Sequence, residues 1–320
     1  MAPIEQIDCR IPAECAGMRL DQALALALPA YSRSRLQQWL KGGQLRVDGR
    51  IVRPRDPASG GERVSGEPVL APQLQAIAQN IPLDIRYQDD DMLVLNKPAG
   101  LVAHPAAGNR DGTLVNALLH HAPELAALPR AGLVHRLDKE TTGLLVVARS
   151  LRAHSALVEQ LQARRIEREY LAVVNGAPVA GATVDAPIGR HPIDRQRMAV
   201  VAGGKPAVTH YRVLRRFRAH ALLRVKLETG RTHQIRVHMA HARLPLLGDP
   251  VYGGRARVPP GASARCIETI QRFRRQALHA ERLALAHPVT GERLVWQAEL
   301  PGDLVELLKV LSEDGEIRHE

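Results

Sequence analysis

Aromatic side chains are scarce, at 3% of 320 residues. A broad aromatic platform for stacking single-stranded bases is therefore not expected. Cysteine is scarcer still. Cys9, Cys15 and Cys266 are an odd, scattered set that fits reduced thiols in a cytoplasm and argues against a disulfide framework. No apolar run approaches the roughly 18–20 residues of a membrane span, and residues 23–29 are the longest candidate. The opening residues carry Glu5 and Asp8 with no apolar core, so they do not read as a secretory signal. What is abundant is positive charge. Lys plus Arg number 44 against 33 acids, a net +11 and a pI near 10.2. Such an excess concentrates polyanions by its field alone, and nucleic acid is the expected partner. An anionic membrane surface ranks second, and no basic amphipathic helix with large apolar residues supports it. Apolar residues at 45% and charged residues at 24% describe an ordinary globular chain, long enough for about two domains.

Residues 18–71 read as a small basic unit. Leu20, Ala23, Leu24 and Leu28 form a helical stripe ended by Pro29. Ser32 is placed to cap a second helix over 33–41, and Gly42-Gly43 ends it. Leu45 and Val47, the Asp48-Gly49 turn pair, then Ile51 and Val52 predict a hairpin. Between 33 and 55 there are seven basic residues and one acid, Asp48, which predicts a single positive face. The stretch MRLDQALALALPAYSRSRLQQWLKGGQLRVDG (18–49) resembles the S4 RNA-binding domain. On that reading Arg33, Arg35, Lys41, Arg46 and Arg50 are candidate RNA contacts. A tail is expected over 1–17, a linker over 72–82 and a frayed, charged tail over 309–320. Residues 83–308 then form one large domain. Strand-like runs at 92–96, 144–148, 170–174, 222–228 and 282–286 are interspersed with helical patterns at 113–121 and 150–164. Without a regular βα alternation the class is α+β.

The chemistry centres on GLVHRLDKETTGLLVVAR (132–149), a polar run feeding through Gly143 into a buried strand. Loops anchored on such strands commonly carry functional groups. Asp138 sits among His135, Arg136 and Lys139, and a carboxylate set among cations stays charged and can serve as nucleophile or base. Alone, a loop aspartate is more often a turn or cap residue. The whole stretch changes that. His135, Arg136, Leu137, Asp138, Thr142 and Gly143 resemble the active-site motif of the RluA family of pseudouridine synthases, with Thr142 where many members have serine. LVLNKPAGLVAHP (93–105), REYLAVVNG (168–176), GKPAVTHY (204–211), ETGRTHQIRVHMA (228–240) and GDPVYGG (248–254) extend the resemblance in order along the chain.

The resemblance implies a small S4-like domain plus a larger mixed α/β catalytic domain with a mainly antiparallel sheet. It implies conversion of uridine to pseudouridine. The N1–C1′ bond breaks, the uracil turns, and C5 joins C1′. This isomerisation has no redox change and no energy input, so no cofactor is expected. Asp138 would be the essential carboxylate, by attack on C1′ or by removal of the 2′ proton. Arg236 would pair with it through a guanidinium fork that lysine does not copy. Tyr170 would lie against uracil and relay the C5 proton. Arg136 would fill the gap left by the flipped nucleotide, and Leu144 would contribute an apolar wall. Lys97 and Lys205 are weaker phosphate candidates. The stretches at 104–121 and 251–263 resemble family members acting on large-subunit ribosomal RNA, which implies the helix-69 stem–loop of 23S RNA in assembling subunits. A monomer is expected. Alternatives are the same reaction at another rRNA or tRNA site, or a non-catalytic S4-type assembly factor.

Three other sites are disfavoured. His233, His238 and His241 cluster in sequence but lack metal-ligand spacing, so no metal is expected. Asp138 and Glu140 are too close in sequence to converge as a glycosidase pair. There is neither a P-loop nor a G-x-G-x-x-G fingerprint.

Overall fold

The computed structural model describes residues 6–29, 31, 33–68, 76–105, 109, 111–195 and 197–317. Five elements build the N-terminal unit. Strands β1 (Ile7–Arg10), β2 (Arg46–Val47) and β3 (Arg63–Gly66) form an antiparallel sheet in the order β1-β3-β2. Helices α1 (Leu20–Ala27) and α2 (Arg33–Lys41) pack together beside it. Leu20 and Leu24 repeat at i,i+4, as do Leu36 and Leu40, and these two stripes are buried with Trp39, Leu45 and Val64. The expected cap Ser32 lies outside the described residues.

The unit departs from expectation in three ways. It begins earlier, because Ile7 of β1, Ile11 and Cys15 of the expected tail are buried in its core. The Asp48-Gly49 turn forms with both residues at positive φ, but the predicted second arm does not continue. β2 pairs instead with β3. The Asp48 carboxylate accepts from the Arg63 amide, and the Asp48 amide donates to the Arg63 carbonyl. Those bonds give the edge of β2 to a distant segment, and Ile51 is left in solvent. Finally, the basic residues do not share one face. Lys41, Arg46 and Arg50 are exposed. Arg35 is buried, and its guanidinium donates to the Ala127 carbonyl at 2.7 Å, so it ties this unit to the larger domain rather than facing solvent.

Asp21 explains why α1 and α2 stay together. Its side chain is fully buried and accepts from Arg19, Arg33 and Gln37. The Arg19 fork above all holds its carboxyl well below the usual range. A depressed carboxyl stabilises the fold above its unfolded pKa, and that contribution is lost as pH falls through the folded one. Asp21→Ala is expected to cost about 1–3 kcal/mol, discounted for two half-exposed arginines. Limited proteolysis between 18 and 68 would show it, and wild type should lose the same protection only in strong acid.

The larger domain is built on a ten-stranded sheet. Its strands are β4 (Ile85–Gln88), β5 (Met92–Lys97), β6 (Thr142–Ala148), β7 (Glu167–Asn175), β8 (Ala182–Asp185), β11 (Val208–Phe217), β12 (His220–Leu227), β13 (Leu278–Ala286), β14 (Arg293–Gln297) and β15 (Glu316–Ile317). A separate pair, β9 (Ile188–Arg190) and β10 (Met198–Val200), lies between β8 and β11 in sequence. The main path runs β15-β11-β12-β7-β13-β6-β5-β4, with β14 beside β13 and β8 beside β11. Every pairing is antiparallel except the short β13·β6 contact. Alternation sends Leu93, Leu95, Leu145 and Val147 to one face and Met92, Val94, Leu144 and Val146 to the other. The first face meets α3 (Leu114–His121), capped by Thr113. The second meets α4 (Leu151–Gln162), capped by Ser150. Farther along the second face lie α6 (Ala264–Arg272) and α7 (Gly302–Glu313).

The described part of the expected linker, 76–82, is irregular but fixed: Asn116 donates from Nδ2 to the Ile77 carbonyl, and Gln79 takes the Gly112 amide. Residues 72–75 lie outside the described residues. The frayed tail expected from 309 is instead the end of α7. Val310 and Leu311 complete a buried stripe with Leu304 and Leu307, and the charges that suggested fraying occupy the other side. Residues 318–320 lie outside the described residues. No helix among the described residues is long and apolar enough to cross a membrane.

Candidate active site

A cleft of about 960 Å³ opens on the α3 side of the sheet. The loop entering β6 supplies Asp138, β7 supplies Tyr170, and α5 (Gln234–His241), which follows β12, supplies Arg236. Residues 98 positions apart in sequence are thereby joined: Arg236 donates from Nη1 to Asp138 Oδ2 at 3.2 Å. The rest of the guanidinium faces away, with Nε and Nη2 donating to Asp249 Oδ2 and Oδ1 at 2.7 and 2.9 Å. Asp249 is fixed in turn by the amides of Val251 and Tyr252. Burial works against charge on Arg236, yet Asp249 and Asp138 hold its pKa above the usual value. Burial likewise opposes ionisation of Asp249, and Arg236 with the two amides overcomes it.

The other Asp138 oxygen, Oδ1, accepts no hydrogen bond among the described residues. His233 lies beside it, with Nε2 at 3.9 Å. The Tyr252 hydroxyl accepts from the Met198 amide at 2.9 Å. It also hydrogen-bonds His233 Nδ1 at 2.9 Å, which fixes the ring with Nε2 toward the carboxylate.

The Asp138 loop is held residue by residue. The Thr141 amide donates to the Asp138 carbonyl and closes a turn. Lys97 Nζ donates to the Lys139 carbonyl at 2.8 Å, Arg275 Nη1 to the Glu140 carbonyl at 3.2 Å, and Gln276 Nε2 to Thr141 Oγ1 at 3.0 Å. His279 Nε2 donates to the Ala298 carbonyl, so Nδ1 accepts from Thr142 Oγ1 at 2.8 Å. Thr142 thus needs its hydroxyl. Lys97 is buried and also bonds the Pro98 and Leu101 carbonyls, so it is neither a phosphate contact nor a solvated lysine. Burial lowers its pKa to about 8. Lys205 is exposed.

Gly143 follows at φ +112, where a Cβ would overlap the Ala280 backbone of β13. Gly143→Ala is expected to part β6 from β13, cost about 1–3 kcal/mol and reduce turnover at least tenfold. Thermal unfolding and a turnover assay on the same preparation would measure both.

Tyr170 is buried in the cleft wall. Burial pushes its hydroxyl pKa up, Arg168 opposes this and Asp138 adds to it, so the ring is neutral near pH 7. Arg136 is exposed at the cleft and has no partner among the described residues. Leu144 is not at the cleft. It points to the opposite face, against Met92, Val94 and Val146, because β6 alternates and Thr142 already faces His279. The apolar walls come from Leu137, Leu227, Ile235 and Leu278. His238 is bonded to Thr209 and the Ala186 carbonyl, away from His233. Among the described residues no three His, Cys, Asp or Glu come together as metal ligands would. Sequence reasoning passed over Asp249 and Arg168, and weighed His233 only as a metal ligand. GDPVYGG and the basic residue two before Tyr170 were their available signals.

Comparison with known proteins agrees with this geometry. The RNA pseudouridylate synthase family model matches residues 91–241, and the S4 domain model matches 18–64. The chain belongs to the RNA pseudouridylate synthase family: it is an RNA uridine isomerase carrying an S4 domain. It is 56% identical to the ribosomal large subunit pseudouridine synthase D of Pseudomonas aeruginosa, with 99% of each chain covered. It is 53% identical to the protein of that name from Escherichia coli K12, with 99% of this chain and 97% of the relative covered. Among solved structures, human RNA pseudouridylate synthase domain containing 4 superposes with a TM-score of 0.56 at 30% identity, over 71% of this chain and 92% of that one. Domain containing 1 gives 0.53 at 27%, over 70% and 86%.

Proposed function

We propose that this enzyme isomerises uridines of large-subunit ribosomal RNA, at the helix-69 stem–loop of 23S RNA in assembling subunits. It works as a cytoplasmic monomer without cofactor or metal. The observation that carries the chemistry is the Asp138 carboxylate: one oxygen is held by Arg236 and the other is unbonded beside His233, in a cleft that Tyr170 also lines and that is large enough for a nucleotide. The names of the relatives support the substrate.

Stacked uridine hides C1′ and C5, so the nucleotide is flipped out, at a cost of a few kcal/mol. The exposed Arg136 guanidinium fills the space it leaves and offsets part of that cost. The fixed Arg236 fork aims Asp138 at the sugar, where Oδ1 either attacks C1′ or takes the 2′ proton. Both routes expel N1 with its bonding pair. Tyr170 lies against the detached uracil while C5 swings to C1′. Lys41, Arg46 and Arg50 hold the RNA backbone from the N-terminal unit, while half-exposed Arg33 is paired with Asp21.

Incubation of purified protein with 23S RNA fragments, then carbodiimide modification and primer extension, is expected to give new stops in helix 69. Stops at another RNA would move the substrate. The absence of any pseudouridine would leave a binding factor and overturn the assignment.

A further inference from the structure

Arg168 is a buried cation that the reaction as described does not use. It lies two residues before Tyr170 on β7, so both side chains leave the same face of the strand, and both line the cleft. Only 8% of Arg168 is exposed. No carboxylate pairs with it among the described residues, and its Nε is enclosed with no hydrogen-bond partner. Its strand neighbour Glu169 faces Arg224 and Arg282 instead. Room for the guanidinium comes from Gly230, where a Cβ would stand 2.9 Å from Arg168 Nη1. A second donor waits nearby. The Val146 amide donates to His135 Nε2 at 3.1 Å, which puts the imidazole hydrogen on Nδ1, and Nδ1 is enclosed without an acceptor. Burial and the Arg168 charge keep that ring neutral, with its pKa pushed down to about 3.

A buried, unpaired guanidinium is costly unless a ligand completes it. Phosphates stay at the rim with their sugars, where Arg136 is exposed. The group that enters the depth of the cleft is the base. Once the N1–C1′ bond breaks, N1 keeps the bonding pair, and the negative charge spreads over N1, O2 and O4. It is discharged when C5 bonds C1′, C5 gives its proton to a base and N1 regains one. The charge appears whether Asp138 attacks C1′ or removes the 2′ proton.

We propose that Arg168, with the Nδ1 hydrogen of His135, is the anion-receiving wall for the detached uracil, a catalytic role separate from that of Asp138. This rests on the reading above. Donors preplaced where charge develops are typically worth about 100–1,000-fold in rate.

The test is single-turnover kinetics, read as loss of the N-linked nucleoside because 5-fluorouracil has no C5 proton to give up, for wild type, Arg168→Met and Arg168→Lys on matched RNAs carrying uridine or 5-fluorouridine, whose base leaves as a weaker base. Thermal unfolding would confirm that each variant folds. Arg168→Met is expected to slow uridine RNA about 100-fold or more. RNA Kd should stay within about threefold of wild type with the same salt slope. The 5-fluorouridine RNA should lose at least tenfold less, and Arg168→Lys should fall between wild type and Arg168→Met. Equal losses on both RNAs, an unchanged rate, or a weaker Kd with a salt slope smaller by about one would overturn it, the last marking a phosphate contact. Should Arg168→Met not fold, Arg168→Lys decides on the same comparison. Wild type that makes no pseudouridine would instead defeat the underlying reading.

Discussion

Asp138→Asn is expected to end turnover while leaving RNA binding nearly intact. The amide matches the carboxylate in size, and Arg236 Nη1 can still donate to its oxygen, so the cleft keeps its shape. What disappears is the negative oxygen. An amide neither attacks C1′ nor takes the 2′ proton, and the loss should be at least about 10⁴-fold, the scale seen when a nucleophile is removed. RNA Kd should stay within about threefold, because the exposed basic residues of the N-terminal unit and Arg136 are untouched. Tritium placed at C5 of uridine is freed when C5 bonds C1′, so its release counts turnovers directly. Release at near wild-type rate would remove Asp138 from the chemistry and leave Arg236 as a structural ion pair. Relief of a growth defect by the variant would reveal a separate binding role.

Much of the scaffold was legible because its signals are local. The apolar runs at 92–96 and 144–148 became β5 and β6, and the helical patterns at 113–121 and 150–164 became α3 and α4. Asp138, Arg236 and Tyr170 do converge on one cleft, as family resemblance implied. Several of the failures share a cause, a partner far away in sequence. The strand partner of β2 is 18 or so residues on, chosen by Arg63 rather than by the turn. Arg35 looks like its basic neighbours until Ala127 arrives, 92 positions later. Leu144 lies in a strand buried on both faces, where hydrophobicity does not say which face a residue takes. Lys97 is an ordinary lysine in sequence, and only the folded loop supplies the three carbonyls that bury it.

Arg236→Met is expected to damage stability and turnover together, and a second change should separate them. Arg236 and Asp249 are both almost fully buried and joined by two hydrogen bonds. Removing the guanidinium leaves Asp249 charged in the interior, supported only by the Val251 and Tyr252 amides. Breaking a buried pair from one side typically costs about 3–5 kcal/mol. For a domain of this size that lowers Tm by on the order of 10 °C. Adding Asp249→Asn removes the stranded charge yet keeps an oxygen for the two amides, so the double variant should recover at least half of the lost Tm. Turnover should not return, because Asp138 still lacks the group that aims it. Arg236→Lys should fall between, holding one carboxylate as a point charge and losing the fork that spans two. If the double variant regained both Tm and tritium release, the guanidinium would be a structural strut, and the carboxylate would need no steering to meet the sugar.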